Sequence, residues 1–187
     1  MPCRQHRLID FITQHRRRLA LLAAATLLAA CASTAPQYYR LPQSDYRLPS
    51  TPPNAVLQVV LNDSLSNNGL VYQSTPTQLH FARQHQWGEA LAPAMAKSLA
   101  NSLNQQPGRY RYTLQRSPGL PVLTVHVEAF QGQYNGHTRI AGYTSWSDAA
   151  RRGRNFAVET PQHGDGYAAM VDSLNIGLQQ VAAEIGE

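Results

Sequence analysis

The chain has 187 residues and a formal net charge of +5 at pH 7. Five of its 16 basic residues and one of its 11 acidic residues fall within residues 1–30, so the remainder carries 11 basic and 10 acidic side chains. The positive charge therefore belongs to the front of the chain, and the near balance elsewhere excludes the basic surface of a nucleic-acid-binding protein.

Residues 1–30 have the pattern of a bacterial export signal. A stretch rich in arginine precedes an apolar run of about 12 residues that ends at Ala30. This run has the length of a signal-peptide core, whereas a membrane-spanning helix needs about 20 apolar residues. Cys31 follows directly, and Leu28-Ala29-Ala30-Cys31 resembles the lipobox of bacterial lipoproteins.

The lipobox resemblance implies cleavage between Ala30 and Cys31 and acylation of the Cys31 thiol, palmitate being one such chain. The alternatives are a plain signal peptide with a chance cysteine and an uncleaved anchor. Cys3 is removed with the signal, so no free thiol remains for a disulfide, a zinc site or nucleophilic catalysis. No acidic residue follows Cys31 in 32–34. By analogy with lipoprotein sorting we predict anchoring at the periplasmic face of the outer membrane, with the covalent lipid as the only attached group.

A proline-rich segment comes next. Residues 31–54 contain five prolines, and proline stiffens a chain while removing backbone donors. The sequence therefore predicts a lipidated tether over 31–54, with Tyr38, Tyr39 and Leu41 forming a short first strand.

Residues 55–187 have the periodicities of one α+β domain. In the strand predicted at 121–130, Val122, Thr124 and His126 alternate with Leu123 and Val125, which indicates one exposed and one buried face. Further strands are predicted at 55–62, 70–74, 78–83, 110–115, 136–146 and 155–159, and helices at 89–105 and from about Gly166. We predict an antiparallel or mixed sheet with both helices packed on its buried face. The other face then stays free.

Catalytic and metal-binding motifs are lacking in the sequence. Lys97 is the only lysine after residue 30 and has no glycine-rich phosphate loop, and neither G-x-S-x-G nor H-E-x-x-H occurs. The histidines are interpreted as surface or hairpin residues, with His126 and His137 facing each other across a hairpin. The sequence therefore predicts a protein that is not an enzyme and holds no metal.

Two further groups of residues have competing interpretations. Tyr72 and Trp87 are predicted to fasten the first helix to the sheet, the alternative being a contact with lipid or another protein. Arg151, Arg152 and Arg154 lie in the polar connection 145–155 and are interpreted as a solvated loop rather than a phosphate site.

A family resemblance extends over nearly all of the chain after the lipobox. "YYRL" (38–41), "GLVYQ" (69–73), "QLHFARQHQW" (78–87) directly before a helix, and "DGYAAMVDSLNIGLQQVAAEI" (165–185) resemble in order the PqiC-type (YmbA-like) lipoproteins. These are auxiliary outer-membrane components of ABC-type and MCE-type transport systems. Gly69, Tyr72 and Trp87 match family positions and are interpreted as residues that form the fold.

The resemblance implies a subunit without catalytic activity. Such a subunit docks a periplasm-spanning conduit of MCE-domain proteins at the outer membrane as a homo-oligomeric ring. Lipid transport through the conduit supports membrane integrity. The alternative is a free-standing periplasmic lipoprotein that binds a lipid or another ligand, and an envelope hydrolase is the least favoured hypothesis.

Overall fold

The computed structural model describes residues 35–186, whose strands and helices follow the order expected from the sequence. The strands are β1 Gln37–Tyr39, β2 Ala55–Leu61, β3 Gly69–Thr75, β4 Gln78–Trp87, β5 Tyr112–Thr113, β6 Val122–Gln133, β7 His137–Trp146 and β8 Asn155–Pro161. The helices are α1 Leu91–Gln105 and α2 Gly166–Gly186, with a 3-10 turn at Asp63–Leu65. The predicted export signal (1–30), including Ala30, and the lipidation site Cys31 lie outside the described residues.

Strand β6 holds the eight-stranded sheet of the described residues together. One side of β6 pairs with β7 in an antiparallel hairpin. The other side pairs in parallel with β2 along its first half and with β3 at Gly132 and Gln133. β8 extends the sheet beyond β7, β5 extends it beyond β2, and β4 and then β1 extend it beyond β3. The sheet is therefore mixed, and both β3–β4 and β6–β7 are antiparallel hairpins.

Both helices pack on the same face of the sheet. α1 contacts β2 and β5, α2 contacts β6, β7 and β8, and the two helices contact each other. Apolar side chains spaced four residues apart on α1 are buried in this layer, namely Leu91, Met95, Leu99 and Leu103. The inward side chains of β6 are buried there too, namely Leu123, Val125, Val127 and Phe130. Burial of such side chains is the main favourable contribution to folding. The predicted α+β class, with two helices on one face of a mixed sheet, is confirmed.

Strand β5 is shorter than the strand predicted at 110–115. Only Tyr112 and Thr113 pair with β2. Asn104 of α1 takes the place of a further strand partner, since its side chain accepts from Tyr112 N at 2.7 Å and donates to Tyr112 O at 2.9 Å. The outer backbone groups of Tyr112 are thus hydrogen-bonded by a side chain instead of by another strand.

The proline-rich segment before β2 is largely part of the domain. The compact unit spans Pro36–Glu187, so it includes most of the segment 31–54 that the sequence predicted to be a tether. The predicted short first strand is present as β1, which includes Tyr38 and Tyr39 and pairs in parallel with the end of β4. Leu41 and Ser44 are buried. The part of the chain that the structure describes contains no helix long and apolar enough to cross a membrane.

Glu89 joins this segment to the start of α1. Its carboxylate accepts from Arg40 Nε at 3.2 Å, from Ser44 Oγ at 2.7 Å and from Lys97 Nζ at 3.1 Å. Burial raises the pKa of Glu89, but the hydrogen bonds and charges of Ser44, Lys97 and Arg40 outweigh it, so the pKa lies below its ordinary value of 4.5.

The attachment of this segment is therefore expected to be acid-sensitive. A lowered carboxyl pKa stabilises the folded protein above the unfolded pKa, and this contribution is lost as the pH falls through the folded value. Glu89→Gln is expected to be less stable than the wild type at pH 7, with a difference that shrinks as the pH falls below the ordinary carboxyl pKa of 4.5. Urea unfolding across this range measures it. Glu159→Gln, which removes the exposed pair with Arg139, is the control. A Glu89→Gln deficit independent of pH would contradict the assignment.

Candidate functional site

The face of the sheet opposite the helices carries exposed apolar side chains. Val60 pairs with His126, and His126 pairs with Tyr143. His126 lies between Val125 and Val127, which are buried under the helices. Since side chains alternate along a strand and paired residues share a face, Val60, His126 and Tyr143 point away from the helices. Val60 and Tyr143 are each 40% exposed.

The same face continues across β3 and β4. Gln131 alternates with the buried Phe130 and donates to Gln73 Oε1 at 3.0 Å. Gln73 pairs with Leu79, and two residues further along β4 Phe81 pairs with Val71. Leu79 is 43% and Phe81 44% exposed. We call the surface formed by Val60, Leu79, Phe81, His126 and Tyr143 the open face.

Small side chains lie between the apolar groups of the open face. Ala129 pairs with Ala141, and Ala141 pairs with Ala157, so three alanines form a row across β6, β7 and β8. On one side of this row Arg139 Nη1 donates to Glu159 Oε1 at 3.0 Å. A flat central strip flanked by aromatic and aliphatic groups is suited to contact with another macromolecule.

His126 contributes a fixed ring to the open face. Its imidazole stacks on Tyr143 with ring centroids 4.4 Å apart and planes inclined by 11°. Its Nε2 lies 3.0 Å from Ser145 Oγ. The predicted pairing of His126 with His137 is wrong, because His137 begins β7 beside the turn and pairs with Pro161 on β8. His126 lies further from the turn and therefore meets the middle of β7.

A cleft of about 440 Å³ lies where α2 begins. It is lined by Tyr72, Tyr134, Tyr167 and Met170, and by glycines around the first turn of the helix. The side-chain oxygen of Gln133 is buried there without a hydrogen-bond partner among the described residues. We call this the α2 cleft. Its aromatic walls and single unpaired acceptor are the features of a small-ligand site.

An aromatic cluster adjoins the α2 cleft through Tyr167. The His85 ring stacks on Tyr167 with centroids 4.0 Å apart, and Tyr39 Oη lies 2.9 Å from His85 Nδ1. This contact joins β1, β4 and α2. The predicted site residue Tyr72 thus lies beside the first turn of α2, and not at the start of α1.

The two other family-motif residues lie where β3 begins and β4 ends. A Cβ atom at Gly69 would lie 2.5 Å from Ala82 O, at the register shift between β3 and β4. Trp87 is buried, with its ring centroid 5.8 Å from that of Phe130, and its backbone N donates to Asn68 O at 2.7 Å. Both residues therefore shape the end of the β3–β4 hairpin.

Groups suited to metal binding are lacking in the described range. Within residues 35–186, His, Cys, Asp and Glu side chains form no cluster of three or more that could hold a metal ion.

The sequence did not identify the residues of the open face on β4. The alternation in β6 indicated that one face of the sheet stays free. A register shift between Gly69 and Val71 interrupts the alternation of the β3–β4 pair, so Leu79 and Phe81 could not be placed on that face from the sequence pattern.

Comparisons with known proteins place these features in a family context. The family model described as "ABC-type transport auxiliary lipoprotein component" matches residues 39–186. Two proteins described as "Intermembrane transport lipoprotein PqiC", from Escherichia coli strain K12 and Shigella flexneri, are each 31% identical over 173 residues. Each alignment covers 88% of this chain and 92% of the relative.

Two solved structures share the fold. The crystal structure of an uncharacterized protein superposes with a TM-score of 0.71 at 30% identity, over 82% of this chain and 97% of that one. Protein XCC0632 from Xanthomonas campestris superposes with a TM-score of 0.59 at 18% identity, over 82% of this chain and 92% of that one.

Proposed function

This chain belongs to the family of ABC-type transport auxiliary lipoprotein components, and from that membership we propose that it serves lipid transport between membranes as a docking subunit. In this role the protein is a homo-oligomeric lipoprotein of the outer membrane. It binds the tip of a periplasm-spanning conduit of MCE-domain proteins and thereby supports membrane integrity. It has no catalytic activity of its own.

The open face is the observation that carries this proposal. The helices cover only one side of the sheet, and the other side exposes Leu79, Phe81 and Tyr143 around a row of alanines. Burial of large apolar groups under a partner makes the free energy of binding more favourable. The relatives named above are described as intermembrane transport lipoproteins, a role that requires contact with further components.

The anchor in this proposal is the lipid on Cys31. One acyl chain alone binds a membrane only marginally, whereas several chains hold a protein firmly. Lipidation at Cys31 therefore suffices to keep the domain at the periplasmic face of the outer membrane.

A free-standing lipid- or ligand-binding lipoprotein is the second candidate. The α2 cleft favours it, since its volume of about 440 Å³ and its lining by Tyr72, Tyr134 and Met170 suit part of an acyl chain. In that role a monomer retains one phospholipid and needs no conduit.

Affinity purification from crosslinked cell envelopes tests the docking role. The full-length lipidated protein is expected to recover an MCE-domain protein and to run as a high-order oligomer. Phe81→Glu and Tyr143→Glu are expected to lower the recovery of the MCE-domain protein about tenfold, because a charge buried at an interface is unfavourable. Cys31→Ser is expected to release the protein from the membrane fraction.

Ile176→Glu is the matched control. Ile176 is 44% exposed, as Phe81 is, but it lies on α2 and not on the open face. Its substitution is expected to leave the recovery of the partner unchanged. A wild-type protein that is purified as a lone monomer with Cys31 lipidated would rule out the docking role. One phospholipid bound per monomer would then favour the second candidate.

A further inference from the structure

A second large cavity lies beside the last turn of α2, whereas the α2 cleft lies beside the first turn of that helix. Its volume is about 440 Å³, and it is bordered by the segment after α1, the connection between β7 and β8, and the last turn of α2. Four arginines line it: Arg109, Arg151, Arg152 and Arg154. We call this cavity the basic pocket. It lies on the helix side of the sheet, so it is separate from the open face.

The charges around the basic pocket are strongly unbalanced. Among the described residues, the pocket lining holds four of the 11 basic residues found after position 30 and no acidic side chain. Arg151 makes an ion pair of 3.6 Å with Asp148, and Arg154 Nη1 donates to the backbone carbonyl of Glu184 at 3.2 Å. Guanidinium groups that converge on one cavity create a positive potential that attracts anions.

Arg151 packs against two aromatic rings. Its guanidinium carbon lies 5.0 Å from the centre of the Trp146 ring and 5.1 Å from that of Tyr110. The Arg-rich connection 145–155 was expected to form a solvated loop, and Arg151 departs from this in part, since its side chain packs on two rings and is only 27% exposed. Cation–π contacts fix the direction of a guanidinium group and so reduce the entropy lost on binding.

One donor of this arginine lacks an acceptor. Arg151 Nη1 is buried and has no hydrogen-bond partner among the described residues. A buried donor without a partner is unfavourable, and the cost is larger for a charged group. An anion in the basic pocket would supply the missing acceptor.

The remaining walls of the basic pocket are apolar or neutral. Leu123 and Ile185 are buried there. Burial raises the pKa of Tyr112 to about 12, so its phenol stays neutral at physiological pH. An apolar wall beside a group of guanidiniums fits a molecule that carries an anionic head on a hydrocarbon body.

We propose that the basic pocket binds the phosphate group of an amphiphile, the guanidiniums holding its oxygens and Leu123 and Ile185 contacting its hydrocarbon part. Arginine presents a planar fork of donors that matches phosphate oxygens in pairs. Arg109, Arg151 and Arg152 together provide more donors than a single carboxylate accepts. A free phosphate ion presents the same oxygens but has no hydrocarbon part, so it gains nothing from the apolar wall.

Tryptophan fluorescence of the full-length protein in an uncharged detergent tests this site. Trp146 lines the basic pocket and Trp87 lies in the core, so Trp146→Phe identifies the responding ring. The probes are hexyl phosphate, inorganic phosphate, heptanoate and hexanol. Hexyl phosphate is expected to bind at least about tenfold more tightly than inorganic phosphate or heptanoate, and hexanol is expected to give no response.

Two double variants, each replacing two arginines with glutamine, test whether the charges of the pocket bind the phosphate. Arg109→Gln combined with Arg152→Gln is expected to weaken the binding of hexyl phosphate about tenfold or more, since it removes two charges from the pocket. Arg83→Gln combined with Arg116→Gln removes two charges elsewhere and is expected to change it less than about twofold.

The alternatives give different results. Equal affinity for inorganic and hexyl phosphate would overturn the amphiphile and assign the pocket to free phosphate. Tighter binding of heptanoate than of hexyl phosphate would overturn the proposal in favour of a peptide carboxylate. The absence of a Trp146 response, or equal weakening by both double variants, would show that the pocket holds no specific anion site.

Discussion

Replacing Gly142 with alanine is expected to destabilise the protein by at least about 3 kcal/mol, a large share of the stability of a domain. Gly142 lies in β7 opposite Val127, just before the bulge between Val127 and Ala129 of β6. There the two strands approach so closely that a Cβ atom would overlap the backbone oxygen of His126 and lie 2.9 Å from Phe156 Cζ. A flexible side chain can move aside, but a backbone carbonyl in the centre of the sheet cannot.

Urea unfolding followed by circular dichroism measures this effect. Gly108→Ala is the control, since the nearest atom to its added Cβ is Gly186 O at 3.8 Å. Its effect is expected to stay within about 0.5 kcal/mol. Equal unfolding midpoints for Gly142→Ala and the wild type would mean that β6 and β7 are further apart than described.

Asn101→Ala is expected to detach the segment before β2 from α1. The Asn101 side chain is buried and makes three hydrogen bonds to the backbone of that segment. Its oxygen accepts from Arg47 N at 2.8 Å, and its nitrogen donates to Gln43 O at 3.1 Å and to Asp45 O at 2.7 Å. Removing one partner of a buried hydrogen bond costs about 1–3 kcal/mol. Here three backbone groups lose their partner at once.

Amide hydrogen exchange and limited trypsin digestion measure this detachment. Exchange over residues 43–47 and cleavage after Arg47 are expected to accelerate at least about tenfold, as the cost of local opening falls. Ser98→Ala is the matched control. Ser98 precedes Asn101 on the same helix and is buried, but its hydroxyl has no partner among the described residues. Its loss is expected to leave exchange unchanged. Exchange over 43–47 that is as slow in Asn101→Ala as in the wild type would contradict this role of Asn101.

Local patterns were sufficient to predict most of the fold. The i, i+4 spacing of Leu91, Met95, Leu99 and Leu103 predicted α1 and its buried side, because a helix returns to the same face every 3.6 residues. Alternation along β6 predicted a sheet with one buried face. Both signals depend only on near neighbours in the sequence.

Contacts between distant segments account for what the sequence did not predict. The burial of Leu41 depends on β1 pairing with β4 and on Asn101, which lie more than 40 residues away. A proline-rich composition does not indicate contacts with such distant residues. The placement of His126 opposite Tyr143 depends on where the β6–β7 turn falls, and a small change in that position changes every cross-strand pair.

The candidate surfaces were predictable only in outline. The sequence indicated that one face of the sheet is free, but the exposure of Phe81 depends on a register shift that leaves no local signal. The arginines of the connection 145–155 were identified as a cluster. Their convergence with Arg109 on one pocket follows from the approach of the segment after α1, which no local spacing encodes.

The incorporation of residues 36–54 into the domain limits how far the protein can reach from its anchor. A fully extended chain spans at most about 3.5 Å per residue, so a free segment covering 31–54 would allow an excursion of roughly 80 Å. With the lipid proposed at Cys31 and the compact unit beginning at Pro36, only residues 31–35 separate the two, and a chain of that length spans at most roughly 17 Å. The domain is then held close to the membrane, and copies of the protein share a nearly two-dimensional layer in which their local concentration is high.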